Sequence, residues 1–123
     1  MSSQDQPEAA SERIVLCGAN SYLKKYFFNE QFSQLPQAVK DELQIICVSF
    51  TEAAGGIMTL EFGPEDDLQI HVMVDDADYL FDEIESGLQI SRLQREKEEL
   101  FSQLETFRKV QRAREEKGAE RHD

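Results

Sequence analysis

A cysteine and a histidine, Cys17 and His71, are the residues whose types could most readily do chemistry. A thiol presented on a turn and deprotonated by an imidazole is a nucleophile; Gly18 favours such a turn, and Asn20 could orient the pair. Nothing in the residue order brings the thiol to the imidazole, however. His71 falls on the polar side of an alternating segment across from Thr59, and Cys17 ends an apolar run as a small core residue. Cys17 and His71 are therefore only weak catalytic candidates, and the catalytic residues stay unassigned. The two residues would matter for an alternative function, that of a small enzyme or ligand-binding protein that uses the Cys17 thiol.

Metal and phosphate chemistry are not indicated by residue spacing. The possible zinc ligands lack the close pairs that structural zinc sites use, and they are Cys17, Cys47, His71 and His122. An EF-hand loop starting at Asp76 would need glycine at its sixth position and glutamate at its twelfth, where the chain has Phe81 and Gly87. No phosphate-binding loop, dinucleotide fingerprint or nucleophile elbow occurs. We therefore predict no metal and no cofactor.

A helix is predicted to begin at Leu35-Pro36, because proline suits the first turn of a helix and forces the preceding residue to be extended. Gly55-Gly56 then predicts the end of the helix. Between these points the apolar residues recur at helical intervals, as on one face of a helix: Val39, Leu43, Ile46, Cys47, Phe50 and Ala54. This pattern makes Cys47 a core residue and not a reactive thiol.

A β-hairpin is predicted over residues 58–72, with a turn at 63–67 that contains glycine and proline. If Phe62 opposes Leu68, the large apolar residues of both strands fall on one face, and these are Met58, Leu60, Phe62, Leu68, Ile70 and Val72. Two strands are marginal in water, so we expect a third. It would come from residues 13–17, from residues 22–28 or from a second copy of the chain.

The next helix is predicted to open at Asp75-Asp76-Ala77-Asp78, because aspartate caps helices well and acidic first turns suit the helix dipole. Its apolar side would carry Tyr79, Leu80, Phe81 and Ile84. Ser86-Gly87 predicts a break or a kink, and the pattern that starts at Ser91 is a capping box that would restart the helix. Whether the helix continues through Gly87 is left open.

A stripe of large apolar residues follows, with Leu93, Leu100 and Phe107 spaced seven residues apart and Lys97 in an intervening apolar position. The stripe fits an amphipathic helix packed on its own sheet or, alternatively, a coiled-coil contact with a second copy. In the second case it would be a partner surface. The residues assigned to a ligand or partner surface are Asn20, Tyr22, Leu93, Leu100 and Phe107.

The charge is strongly acidic and uneven. The 123 residues carry a formal net charge of −12, and residues 41–91 contain thirteen Asp and Glu but neither Lys nor Arg. This balance argues against nucleic acid and against anionic membrane surfaces as partners. The acidic middle is either a solvated face or a docking surface for something cationic. The basic C-terminal helix, from the same molecule or a neighbour, is one such occupant.

The compartment is predicted from what the chain lacks. Its start is polar and acidic, it has no apolar run of membrane-spanning length, and two cysteines are too few for a disulfide framework. These features predict a cytoplasmic protein with reduced thiols.

Several short strings carry a resemblance, and they are Leu16-Cys17-Gly18-Ala19-Asn20-Ser21-Tyr22, Lys25-Tyr26, Asn29-Glu30, Leu35-Pro36, Asp41-Glu42-Leu43-Gln44, Cys47-Val48, Gly55-Gly56 and the segment from Tyr79 to Ile84. Over about residues 14–110 the chain resembles a family of small uncharacterised bacterial proteins, a domain of unknown function seen in anaerobic Gram-positive lineages. That family carries no assigned activity, cofactor or catalytic residue. The resemblance implies a single-domain, cytoplasmic, bacterial protein and nothing about its chemistry.

These patterns together predict an α+β fold with a central helix, an antiparallel β-hairpin and a long C-terminal helical segment, in α-β-β-α order after an irregular or short-strand N-terminal region. Residues 1–11 are expected to be a disordered tail, 12–112 a single domain and 113–123 a frayed charged tail. The function is unknown. The favoured hypothesis is a non-enzymatic, cytoplasmic protein-interaction or regulatory module whose partner is a second copy of the chain or another protein.

Overall fold

The structure, a computed structural model, describes residues 13–120 of the chain, with side chains as far as residue 118. Within these residues the strands are β1 (Ile14–Asn20), β2 (Lys25–Phe28), β3 (Ile57–Phe62) and β4 (Leu68–Met73). The α-helices are α1 (Gln37–Ala54), α2 (Glu83–Glu96) and α3 (Glu98–Glu120), and a 3-10 turn spans Glu30–Phe32. The predicted α+β class is confirmed, and the predicted helix–strand–strand–helix order follows two N-terminal strands.

The four strands form one antiparallel sheet in the order β2-β1-β3-β4, so the first strand of the chain lies in the middle of the sheet. The predicted hairpin register is confirmed, since Phe62 pairs with Leu68 and Met58 pairs with Val72. Both segments proposed for a third strand, 13–17 and 22–28, contribute a strand to the sheet. The sheet therefore needs no strand from a second copy.

One face of the sheet is buried and the other is open. Alternate residues of β3 join a single core with side chains from all three helices, including Leu43 of α1, Leu93 of α2 and Leu104 of α3. The opposite face carries the intervening residues, such as the exposed Phe27. Gly18 lies on this face, where an added Cβ would come within 2.8 Å of the Met58 backbone oxygen, so a larger residue would force strands β1 and β3 apart.

Helix α1 begins and ends where the sequence predicts. It starts directly after Pro36, and the N–H of Gly55 closes its last turn on the Thr51 carbonyl at 2.8 Å. Gly55 and Gly56 adopt φ angles of 89° and 76°, which side chains of L-residues rarely tolerate. Two glycines in succession therefore stop the helix and turn the chain directly into β3.

The prediction that the second helix opens at Asp75 is wrong, because α2 begins at Glu83 with Asp82 as its N-cap. The Asp75 carboxylate instead accepts a hydrogen bond from the N–H of Ala77, and the Asp78 carboxylate accepts one from the N–H of Leu80. Each aspartate side chain thus accepts a hydrogen bond from the backbone two residues later. Such a bond stabilises a turn, which is an alternative to the helical conformation. Residues 74–82 consequently form an irregular segment, called the acidic loop below.

The question left open at Gly87, where a break or a kink was expected, is answered by α2, which continues through Gly87 to Glu96, so Ser91 does not restart a helix. An exposed glycine inside a helix costs about 1 kcal/mol relative to alanine, a cost that burial of Leu93 offsets. The interruption lies at Lys97, between α2 and α3. There the Lys97 Nζ forms an ion pair of 2.8 Å with Glu42 on α1.

The seven-residue stripe packs against the domain to which it belongs. Leu93 and Leu104 are buried in the core, and the partly buried Leu100 and Phe107 pack beside them. The observed arrangement is therefore that of an amphipathic helical segment on its own sheet, the first of the two interpretations of the stripe.

The C-terminal helix is also tied to the hairpin turn. Arg112 Nη1 lies 2.8 Å from the Asp66 carboxylate, and the Leu68 N–H donates to Glu105 at 2.8 Å. Helix α3 continues to Glu120, into the segment 113–123 that was predicted to fray. The expected tail at 1–11 lies outside the described residues, so the predicted limits of the domain stay a prediction.

Candidate functional site

The structure does not bring Cys17 and His71 together. Cys17 pairs with the buried Leu60 on the helix-covered face of the sheet, whereas His71 pairs with Thr59 and so points to the open face. His71 there lies in a polar network, with its Nε2 3.0 Å from Gln69 Oε1 and 3.8 Å from a carboxylate oxygen of Glu61. The thiol and the imidazole are thus separated by the sheet itself.

The actual neighbour of Cys17 is the other cysteine. The two sulfur atoms lie 3.7 Å apart, and both cysteines are fully buried. The hydroxyl of Tyr26 is buried beside this pair and has no nitrogen or oxygen partner. Burial raises the pKa of Tyr26. The pKa of the Cys47 thiol is raised mainly by its hydrogen bond with Cys17 and, to a smaller extent, by burial. Both shifts favour the protonated forms of Tyr26 and Cys47, and a protonated thiol is a poor nucleophile.

Asn20, a predicted ligand contact, has a structural task at the end of β1. Its side-chain oxygen accepts hydrogen bonds from the N–H groups of Tyr22 and Leu23, at 2.9 and 3.1 Å, and so shapes the turn into β2. Asn20 also lines an open groove of about 540 Å³ between this turn and α1, together with Lys24 and Tyr26. Neither Cys17 nor His71 is part of that lining.

Tyr22, the other predicted contact residue, holds the acidic loop in place. Its hydroxyl donates to the Asp78 carboxylate at 2.6 Å and accepts from the N–H of Asp75 at 3.0 Å. This hydrogen bond to Asp78 raises the pKa of Tyr22 and lowers the pKa of Asp78. A Tyr22 hydroxyl and an Asp78 carboxylate is thus the arrangement favoured around neutral pH.

The far end of the acidic loop is fixed to α1. The N–H of Asp82 donates to the carbonyl of Ala54 at 3.0 Å, and the Phe81 ring lies against Gly55 and Gly56. Side chains at both of those glycines would meet Phe81, at 3.1 Å in the case of Gly56. The two glycines that end α1 therefore also make room for the aromatic anchor of the loop.

Between these anchors the acidic loop presents apolar side chains to solvent. Tyr79 is 93% exposed and Leu80 is 92% exposed, and Ile84 at the start of α2 is 78% exposed. With Val74 they line one shallow, open depression of about 570 Å³. Acidic residues share its rim, and they are Asp78, Asp82 and Glu83. The apolar surface formed by Val74, Tyr79, Leu80 and Ile84 is called the loop patch below.

The remaining predicted site residues are not grouped with the loop patch. Leu93, Leu100 and Phe107 belong to the domain core or its margin, and their role as a partner surface stays a prediction. His122 lies outside the described residues. Within residues 13–118, no three His, Cys, Asp or Glu side chains cluster as metal ligands would, even in the aspartate-rich loop.

Sequence reasoning missed the loop patch because it assigned Tyr79 and Leu80 to the buried side of a helix. The spacing of the aspartates did carry a signal. Asp75 and Asp78 each accept a hydrogen bond from the backbone N–H two residues further along the chain. The same spacing is compatible with helix capping, so the signal did not decide between a turn and a helix. The contact between Cys17 and Cys47 had no signal in the sequence, because the two residues are 30 positions apart.

The fold and the candidate site define a small α+β domain, with a four-stranded antiparallel sheet covered by helices on one face and an apolar loop at one end. The chain belongs to DUF6145, a family of unknown function, whose model matches residues 13–116. The resemblance to a family of unknown function is thereby confirmed. No curated protein and no solved structure is significantly similar to the chain. Among residues 13–120, none of the helices is both long enough and apolar enough to cross a bilayer.

Proposed function

We propose that this protein is a non-enzymatic, cytoplasmic interaction module that docks a partner protein on the loop patch. The observation that carries the proposal is the exposure of Tyr79 and Leu80, each above 90%, in a loop fixed at both ends by hydrogen bonds. A connection between a strand and a helix needs no apolar residues at its tip. Apolar groups that a fixed backbone presents to water are typical of an interaction surface.

The charge around the loop patch indicates the kind of partner. The loop and the first turn of α2 carry six carboxylates, and residues 41–91 contain neither Lys nor Arg. The six are Asp75, Asp76, Asp78, Asp82, Glu83 and Glu85. The basic side chains of Lys97 and Arg112 pair with Glu42 and Asp66, away from the loop. A partner segment with apolar anchors flanked by Lys or Arg therefore complements the patch.

A second copy of the chain is the less favoured occupant. Two copies related by a twofold axis would place the same carboxylates opposite each other, which costs energy at neutral pH. We therefore expect a monomer by light scattering at both low and moderate salt. A dimer that the substitution Leu80→Ser dissociates would replace the cationic partner with a second copy as the occupant.

The decisive experiment places a photo-crosslinking amino acid at position 80 in the full chain, inside cells that make the protein. The matched control places it at position 45, because Ile45 is another exposed apolar side chain, at 64%, on the helix α1. We expect one discrete adduct from position 80 and none from position 45. The cross-linked segment of the partner should carry Lys or Arg beside apolar residues.

A synthetic peptide of the cross-linked segment then provides the quantitative test. We expect Leu80→Ser to raise its dissociation constant by about tenfold or more, since burying a leucine contributes about 1.5–3 kcal/mol, and Ile45→Ser to leave it unchanged. Added salt should weaken binding, because the carboxylates attract the peptide. Equal adducts from both positions, or equal effects of both substitutions, would overturn the assignment of the loop patch.

A further inference from the structure

Cys17 and Cys47 form a contact that the proposed function does not use. Cys17 belongs to the central strand β1, Cys47 belongs to the helix packed on it, and their sulfur atoms are 3.7 Å apart. Both residues have no exposed surface. The folded chain thus brings its two thiols into van der Waals contact inside the core, where no oxidant in solution can reach them.

We propose that Cys17 and Cys47 form an oxidation site whose redox state is determined while the chain folds. In the presence of a low-molecular-weight disulfide, the folding chain closes a Cys17–Cys47 disulfide. Burial then protects that bond from thiol–disulfide exchange. The inference rests on the placement of the two sulfur atoms and is independent of the loop patch.

The chemistry balances with glutathione disulfide as the oxidant. In the unfolded or partly folded chain, one cysteine thiolate attacks the glutathione disulfide, forms a mixed disulfide and releases one glutathione thiolate. Folding brings the second cysteine to the mixed disulfide, which it attacks, closing the protein disulfide and releasing a second glutathione thiolate. The two cysteine protons pass to the two released thiolates, so two protein thiols are oxidised while one glutathione disulfide is reduced.

The geometry favours closure within the native fold. A disulfide bond is about 2.05 Å long, so the two sulfur atoms must approach each other by roughly 1.7 Å from their contact distance of 3.7 Å. The bond would join two elements that already pack together and would close a chain segment between positions 30 apart. Because such a closure restricts the unfolded chain, the oxidised protein should be the more stable form.

The folded pair should exchange slowly in either direction. Thiol–disulfide exchange requires a thiolate to reach a sulfur atom, and both sulfur atoms are enclosed by the core. Tyr26, whose hydroxyl lies beside the thiols without a nitrogen or oxygen partner, is one of the residues that cover them. Exchange therefore requires local opening of β1 from α1, and the redox state acquired during folding persists.

The test compares refolding with incubation. Reduced full-length protein is refolded from urea into buffer with glutathione disulfide or with reduced glutathione, and folded protein is incubated with glutathione disulfide for the same time. We expect only the sample refolded with the disulfide to lose two hydrogens by intact mass, and its thiol count in denaturant to fall from two to none. Its melting temperature should rise by about 10 °C or more.

The substitution Cys47→Ala supplies the control, and Cys17→Ala replaces it if that variant fails to fold. Each should carry at most one glutathione adduct and show no rise in melting temperature. The proposal is overturned if wild-type protein refolded with the disulfide keeps both thiols or ends with glutathione adducts. It is equally overturned if the oxidised protein melts lower than the reduced one, or if folded protein oxidises as fast as refolding protein.

Discussion

Asp66 is the residue at which the hairpin turn and the C-terminal helix meet. It adopts a φ of 68° in the turn between β3 and β4, and its carboxylate lies 2.8 Å from Arg112 and 3.8 Å from Arg108. Arg108 is itself buried, with its guanidinium over the ring of Phe32 at 5.8 Å. One largely buried carboxylate therefore faces two arginines, and it supplies the counter-charge for the buried Arg108 as well as for the partly exposed Arg112.

We expect Asp66→Asn to lower the free energy of unfolding by about 1–3 kcal/mol, because it leaves a buried arginine without its counter-charge. Asparagine tolerates the left-handed backbone at least as well as aspartate, so the loss would report the charge and not the turn. Urea unfolding followed by circular dichroism measures the change.

The neighbouring substitution Asp67→Asn is the matched control. Asp67 is exposed and accepts a hydrogen bond from the side chain of Gln69 at 2.7 Å, which the amide oxygen of asparagine could also accept, so we expect a loss below about 0.5 kcal/mol. Losses of equal size at the two positions would contradict the role given to Asp66.

Residue pairs of this kind were beyond sequence reasoning. The charge count indicated that the basic C-terminal helix could meet the acidic middle of the chain, and Lys97 does pair with Glu42 across 55 positions. Which carboxylate each cation reaches depends on the packing of α3 against the sheet, and local spacing carries no information about it. The contact of Cys17 with Cys47 was unpredictable for the same reason.

The acidic loop is the element whose conformation matters most for the proposed function. The sequence predicted α1 and the β3–β4 register correctly, because apolar residues repeat there with the period of one regular structure. It predicted residues 75–82 wrongly, because an aspartate followed by small and apolar residues suits both a helix start and a turn. Side-chain hydrogen bonds to the local backbone decided in favour of the turn.

Tyr22→Phe should loosen the acidic loop without unfolding the domain. The substitution removes both the donor to Asp78 and the acceptor for the N–H of Asp75, while the ring is kept. We expect amide hydrogen exchange across residues 74–82 to accelerate by about fivefold or more, and the melting temperature to change little. Hydrogen exchange measured by mass spectrometry resolves the loop from the rest of the chain.

Tyr79→Phe is the matched control, since it also removes a tyrosine hydroxyl, in this case from an exposed side chain of the acidic loop itself. Exchange in the loop should then stay at the rate of the unmodified protein. Acceleration by both substitutions would show that Tyr22 has no special part in fixing the loop.

At the scale of the whole molecule, one side of the sheet is covered by the three helices α1, α2 and α3. Helix α3 is anchored through Leu104, Arg108 and Arg112, and beyond Arg112 its described side chains are exposed. The sequence predicted the layers of this fold, because each element has one apolar side. It could not predict that β1 lies at the centre of the sheet, since strand order depends on pairings far apart in the sequence.

Deletion of residues 113–123 should leave the fold intact, with the free energy of unfolding within about 0.5 kcal/mol of that of the full chain. The control deletion of residues 103–123 also removes Leu104, Arg108 and Arg112, and it should abolish cooperative unfolding. Thermal unfolding measures both. A large loss from the shorter deletion would show that the end of α3 packs on the domain.

The central position of β1 also sets the order in which the chain can fold. β1 is synthesised first, yet on one side it pairs with β3, whose register joins Asn20 to Ile57 and Ile14 to Phe62. The β3–β4 hairpin and α1 involve only local contacts and can form in microseconds, whereas closing β1 onto β3 must wait for the whole intervening segment. On the ribosome the first strand can therefore pair early with β2, which follows it closely in the chain, but its other edge stays unpaired until the β3–β4 hairpin has left the exit tunnel.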